Sequence, residues 1–140
     1  MKFTGILSAL TLATAASATT VSYDTGYDDR NRALTSVACS DGSNGLITRY
    51  RWKKQGDIPR FPYIGGVNII EGWNSKNCGG CYRLEYKGKK INVLAIDHAD
   101  SGFNIGLDAM NALTNGQATQ LGRINAQVYH ASASDCGLKK

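Results

Sequence analysis

The clearest alternation of hydrophobic and polar positions lies in the second half of the chain. Cys81–Tyr86 and residues 91–96 each have the pattern of a strand, and the turn at 87–90 between them predicts a β-hairpin. Residues 93–96 are apolar at four consecutive positions, which is typical of a strand buried on both faces of a closed sheet. Arg123–His130 alternates again and predicts a last strand.

The first half of the chain is less regular. Residues 21–25 alternate and predict a first strand, whereas 46–52 has the spacing of a short amphipathic helix. We expect an irregular connection at 56–66, which contains both prolines, and a brief strand at 67–70. The other predicted elements are a polar turn at 28–32, a short helix or strand at 34–38, a loop at 40–45, a polar loop at 97–102, a strand at 103–106 and a helix at 107–113. Many short strands with few helices predict a small β-barrel.

The N-terminus has the features of a secretory signal peptide. Met1 and Lys2 precede an apolar segment, and Ala16-Ser17-Ala18 has the small-x-small pattern of a cleavage site. We therefore predict a signal peptide at 1–18 and one domain at 19–140, secreted to the extracellular space or the cell wall. The apolar segment is too short to cross a bilayer, and no later stretch approaches the ~20 apolar residues that a spanning helix needs, so we expect no membrane span.

Composition adds little to this picture. A chain of 140 residues fits one domain, and its formal net charge of +5 fits either ordinary solubility or adhesion to an acidic surface. It contains no nucleic-acid recognition motif, so nucleic acid is not an expected partner.

Four cysteines in a small exported domain predict two disulfides, for which three pairings exist. A Cys78–Cys81 bridge would close a very short loop and constrain the unfolded chain least. Cys39–Cys78 with Cys81–Cys136 closes two long loops, each contributing roughly 4 kcal/mol in the chain-entropy model. We predict this second arrangement.

The two histidines are far apart in the sequence, and we expect neither a metal site nor a cofactor. His98 is either part of a functional loop or simply solvated. His130 alternates with apolar neighbours, and we expect it to pack in the barrel.

Several segments in a fixed order carry a resemblance to a known family. They are VSYD at 21–24, VACSDG at 37–42, GWNS at 72–75 and CGGCY at 78–82, followed by Ile96-Asp97 and Gly102-Phe103-Asn104. Over essentially the whole mature sequence the chain resembles the cerato-platanin family. The resemblance implies a mostly-β fold with short helices, namely a six-stranded double-psi β-barrel related to the first domain of expansins.

The resemblance also implies a function. Members are small secreted fungal proteins that bind chitin (N-acetylglucosamine) oligosaccharides and elicit plant defence, and they self-assemble or loosen cell-wall polysaccharides without hydrolysing them. We therefore expect sugar oligomers, a plant receptor and further copies of the chain as partners.

Related barrels that cleave polysaccharides resemble one another at two acidic positions, which match Asp97 and Asn104 here. Inverting hydrolysis needs two carboxylates, and an amide cannot transfer the proton. Asp100 and Asp108 lie near in sequence and could substitute for the second carboxylate, but nothing in the sequence fixes the direction of their side chains. The sequence therefore predicts a binding protein rather than an enzyme. The alternatives are a weak expansin-like hydrolase that uses Asp97 and a surface-active coat protein.

A sugar-binding face needs aromatic rings and planar polar groups. Asp97 and Asn104 are the candidate polar groups, although Asp97 could instead cap the loop that follows it. The candidate aromatic platforms are Tyr23, Tyr27, Trp73 and Tyr82. Of these, Trp73 and Tyr82 could equally be core residues, and only one of Tyr23 and its neighbour Asp24 can face a groove.

Overall fold

The computed structural model describes residues 17–139. The predicted signal peptide therefore falls outside the described residues except for Ser17 and Ala18. These two residues begin the first strand, where they pair with Val128 and Gln127.

Six strands close into one barrel. They are β1 (Ser17–Tyr23), β2 (Ile64–Val67), β3 (Cys81–Tyr86), β4 (Lys89–His98), β5 (Phe103–Ile105) and β6 (Arg123–His130). Their order around the barrel is β1-β5-β2-β4-β3-β6, and β1 closes against β6. The pairs β1–β5 and β2–β4 are parallel, and the other neighbours are antiparallel. The predicted fold class, a six-stranded β-barrel with short helices, is confirmed.

Within residues 17–139, three short helices accompany the barrel: α1 (Leu46–Tyr50), α2 (Leu107–Thr114) and α3 (Ala118–Leu121). The first two confirm the predicted helices. The third was not predicted, because four residues are too few to show a helical period. Single 3-10 turns occur at Thr25–Asp28, Leu34–Ser36, Gln55–Asp57 and Ala133–Cys136.

The core fills the barrel and the space beneath α2. Val93, Leu94, Ala95 and Ile96 are each at most 1% exposed, which confirms that β4 is buried on both faces. In β6 the alternate positions Ile124 and Ala126 are buried, whereas Val128 is half-buried and His130 is exposed. The expectation that His130 packs in the barrel is therefore wrong, although its ring lies 5.1 Å from that of Tyr82.

The strand expected at 67–70 is misplaced, because β2 occupies Ile64–Val67 instead. Gly65 and Gly66 belong to this strand, whereas the sequence predicted an irregular connection there. A side-chain carbon on Gly65 would clash with the backbone oxygen of Asn104, so β2 and β5 can approach this closely only at a glycine. The polar loop predicted from residue 97 also begins later, because Asp97 and His98 still belong to β4.

Both predicted disulfides are present. Cys39–Cys78 joins the loop before α1 to the loop before β3, and Cys81–Cys136 joins the start of β3 to the last 3-10 turn. The hairpin between β3 and β4 turns on Lys87 and Gly88, which both have positive φ, so the turn is shorter than the predicted one.

Candidate functional site

A polar groove with a volume of about 390 Å³ lies where the end of β4 meets β1 and β5. Three carboxylates line it, those of Asp24, Asp97 and Asp100, and two guanidinium groups, those of Arg32 and Arg123. Its polar surface is completed by Ser22, Tyr27, His98, Ser101 and Asn104. The groove thus combines hydrogen-bond donors and acceptors with charges of both signs.

Three donors fix the Asp97 carboxylate. Oδ1 accepts hydrogen bonds from the backbone N–H groups of Ala38 and His98, each at 2.9 Å. Oδ2 accepts the hydroxyl hydrogen of Tyr27 at 2.8 Å. Asp97 therefore holds the loop at Ala38 against the end of β4, which differs from the cap of the following loop considered above. The same bonds fix the direction in which the carboxylate faces the groove.

The Tyr27 ring is only 3% exposed, so it contributes its hydroxyl to the groove rather than a stacking face. Burial raises the pKa of this hydroxyl far above its ordinary value, and the charge of Asp97 and the hydrogen bond to it raise the pKa further. Tyr27 consequently stays protonated and continues to donate to Asp97 throughout the neutral range.

Asn104 lies in the middle of β5, between Ser22 of β1 and Gly66 of β2. The Ser22 hydroxyl donates to Asn104 Oδ1 at 3.0 Å. Because its oxygen has this partner, Asn104 can present its Nδ2–H donors to a ligand. The groove therefore offers an acceptor at Asp97 and donors at Asn104, which together suit the hydroxyl and acetamido groups of a sugar.

His98 stands at the edge of the groove and is exposed. Its Nδ1–H donates to the carbonyl oxygen of Ile70 at 2.7 Å, and Nε2 lies 3.3 Å from Asp100 Oδ1. The Ile70 carbonyl, followed by the hydrogen bond and charge of Asp100, raises the pKa of this imidazole above its ordinary value. Since protonated His98 can bond both partners at once, mildly acidic conditions favour an ordered groove edge.

The other predicted aromatic platforms lie outside this groove. Tyr23 is half-buried against the core, while its neighbour Asp24 faces the groove. Trp73 is 62% exposed, and its Nε1–H donates to Asp41 Oδ1 at 2.6 Å. Tyr82 is buried, with its ring in edge contact with Phe103. The structure thus brings Asp97, Asn104 and Tyr27 together, and it separates Tyr23 and Trp73 from them.

The sequence did not point to Ser22, Arg32 or Arg123 as groove residues. Ser22 and Arg123 are register partners on β1 and β6, and Ser22 is also the partner of Asn104 on β5. Alternation in β1 shows that Ser22 faces opposite to Val21, but only the pairing of distant strands shows that it faces Asn104.

Within residues 17–139, no group of three His, Cys, Asp or Glu side chains is arranged to hold a metal ion. The helices of this same part of the chain are all too short to cross a bilayer.

Fold and groove together define a small, disulfide-linked, six-stranded β-barrel with an open polar groove at one end of its longest strand. The cerato-platanin family model matches residues 19–138, and the chain belongs to the cerato-platanin family.

Relatives and solved structures agree with this assignment. The chain is 51% identical over 124 residues to the heat-stable 19 kDa antigen of Coccidioides immitis. The aligned region covers 89% of this chain and 84% of the relative. The crystal structure of cerato-platanin 1 from M. perniciosa is 43% identical with a TM-score of 0.81, and the match covers 84% of this chain and 98% of that one. The solution structure of the fungal elicitor cerato-platanin is 34% identical with a TM-score of 0.75, covering 84% and 95% respectively.

Proposed function

We propose that the protein is secreted and binds N-acetylglucosamine oligomers of the chitin type in the groove without cleaving them. The observation that carries this proposal is the pairing of a fixed acceptor, Asp97, with the amide group of Asn104, whose oxygen already accepts from Ser22, in one open groove. Two disulfides support a secreted protein, since such bonds persist in oxidising surroundings.

Cleavage is disfavoured by the chemistry of the same two residues. Of the two, only Asp97 is a carboxylate, and Asn104 has no proton to transfer at ambient pH, so the pair that inverting hydrolysis needs is incomplete. Asp108, considered above as a substitute, does not belong to the groove lining, because its segment begins α2 against Asp28. The groove is therefore suited to holding a sugar chain.

An elicitor role, with a plant receptor as partner, is proposed by likeness to the relative described as a fungal elicitor. Self-association is proposed from the connection between β2 and β3, where Trp73 and Ile69 are large exposed hydrophobic side chains. Neither role requires the groove to be catalytic.

The proposed binding is tested by NMR titration of the ¹⁵N-labelled protein with the N-acetylglucosamine tetramer. We expect shifts at the amides of Ser22, Asp97 and Asn104, and their loss in Asn104→Ala. The matched control is Asn125→Ala, an exposed asparagine on β6 that does not line the groove. Absence of shifts in the groove of the unmodified protein would refute the proposal.

A weak hydrolase is the second candidate, because Asp24 and Asp100 line the groove beside Asp97. Its test is the release of reducing ends from soluble chitin or cellulose. Release that is lost in Asp97→Asn and retained in Asp108→Asn would favour the hydrolase and overturn the non-catalytic proposal.

A further inference from the structure

A second cavity, of about 430 Å³, lies near the other end of β4. It is lined by the segment before β2, by the first residues of β4 and by Asp135 of the last 3-10 turn. Its size is within the range of small-molecule sites, which is about 300–1,000 Å³. Asn92 of this cavity and Asp97 of the groove are five residues apart on β4, or about 17 Å along the strand. The two sites are therefore separate.

Two cations line this cavity without a carboxylate partner. Arg60 and Lys90 are exposed, and neither forms an ion pair within the part of the chain from 17 to 139. Glu85 lies opposite Lys90 in the β3–β4 ladder, but its carboxylate is 2.7 Å from Arg83 Nε. Arg60 and Lys90 are thus available to an external anion.

The one carboxylate of the lining is already engaged. Asp135 Oδ2 accepts hydrogen bonds from the backbone N–H and the hydroxyl of Ser132, at 3.2 and 3.0 Å. These bonds direct the charge of Asp135 towards the 3-10 turn that it caps. With this one carboxylate against Arg60 and Lys90, the lining of the cavity keeps a net positive charge.

Two half-buried aromatic rings, Phe61 and Tyr63, form part of the cavity wall. The guanidinium group of Arg30 lies 5.1 Å from the centre of the Phe61 ring and adds a third positive charge nearby. Aromatic rings beside cations suit a ligand that has an apolar face and a negative group. A plain inorganic anion would leave the rings unused.

Asn92 provides an independent sign of a polar ligand. Its Oδ1 is buried and has no hydrogen-bond partner among the described residues. An unpaired buried acceptor is unfavourable, and such atoms are uncommon in folded proteins. Because this oxygen has almost no exposed surface, it can accept a hydrogen bond from a ligand hydroxyl only after the Asn92 side chain turns towards the cavity that it lines.

We propose that this cavity binds an acidic oligosaccharide through a uronate unit. Arg60 and Lys90 hold the uronate carboxylate, the rings of Phe61 and Tyr63 contact the sugar face, and Asn92 accepts a hydroxyl hydrogen. The site differs in chemistry from the groove, because a neutral N-acetylglucosamine chain does not need the two free cations.

The test is an NMR titration with trigalacturonate, using the full chain expressed in a secreting host. We expect shifts at residues 59–63 and 90–92, and an affinity that falls as salt is added. Lys90→Gln should weaken binding about tenfold, because it removes one charge-assisted contact. The matched control is Lys76→Gln, which removes the same charge from an exposed residue outside the cavity.

Three results would overturn this inference. One is no shift at 59–63 and 90–92, and another is an equal loss of affinity in Lys90→Gln and Lys76→Gln. The third is equally tight binding of inorganic phosphate, which would indicate a general anion site. The N-acetylglucosamine tetramer, titrated separately, reports on the groove amides, so failure of one site is distinguishable from failure of the other.

Discussion

At the residue scale, the Tyr27 hydroxyl contributes both to the stability of the fold and to the geometry of the groove. It is buried, and it donates to a carboxylate that also holds the loop at Ala38. Tyr27→Phe should therefore lower the free energy of unfolding by about 2 kcal/mol at pH 7, since hydrogen bonds to charged groups contribute about 1.5–3 kcal/mol. Urea unfolding measures this change. The control is Tyr129→Phe, because the Tyr129 hydroxyl has no hydrogen-bond partner among residues 17–139.

The stability difference between the unmodified protein and Tyr27→Phe should also depend on pH. The pKa of Tyr27 is raised in the folded protein, so above pH ~10 the unfolded chain loses this proton while the folded chain retains it. The unmodified protein should then lose about 1.4 kcal/mol of stability per pH unit from this residue, and Tyr27→Phe should not. The difference between the two proteins should consequently shrink between pH 9.5 and 11. A constant difference would show that Tyr27 is not held protonated.

At the scale of single elements, a distant carboxylate organises the start of α2. Gly106 precedes this helix and has no side chain to cap it. Asp28 instead accepts hydrogen bonds from the backbone N–H groups of Leu107 and Asp108, at 2.6 and 3.0 Å. We expect Asp28→Ala to destabilise the protein by about 1 kcal/mol and Asp28→Asn by less, as judged by thermal and urea unfolding. The control is Asp29→Ala, which removes only a local bond to the N–H of Asn31. Equal losses in the Asp28→Ala and Asp29→Ala proteins would contradict this role.

Elements were predictable where their pattern is local. The β3–β4 hairpin and β6 follow from alternation within the strands themselves, as does α2 from its spacing. In contrast, β2 depends on two glycines, since Gly65 lets it lie against β5 and Gly66 lets it lie against the end of β4, and a glycine gives no strand signal by itself. The groove residues also divide into those that the sequence can indicate and those that only the pairing of strands brings together. Asp97 and Asn104 could be proposed from the resemblance, whereas Ser22 and Arg123 join them through strand register.

At the scale of the whole molecule, the two disulfides have similar loop sizes but different positions relative to the groove. Cys39–Cys78 spans 39 residues and Cys81–Cys136 spans 55, so the chain-entropy model gives each about 4 kcal/mol. The backbone N–H of Cys39 donates to the carbonyl oxygen of Ile96, one residue along from the hydrogen bond between Ala38 and Asp97. The Cys39–Cys78 bridge therefore supports the loop that positions the Asp97 carboxylate.

The two disulfides consequently act as controls for each other. Replacing Cys39 and Cys78 by alanine should lower stability and also weaken binding of the N-acetylglucosamine tetramer several-fold, because the donor at Ala38 is no longer held against Asp97. Replacing Cys81 and Cys136 should lower stability by a similar amount and leave the affinity of the remaining folded protein unchanged, since neither residue adjoins the groove. Calorimetric titration at a temperature where both variants are folded makes the comparison. An equal loss of affinity in the two variants would mean that the groove depends on the stability of the whole barrel and not on the Cys39 loop.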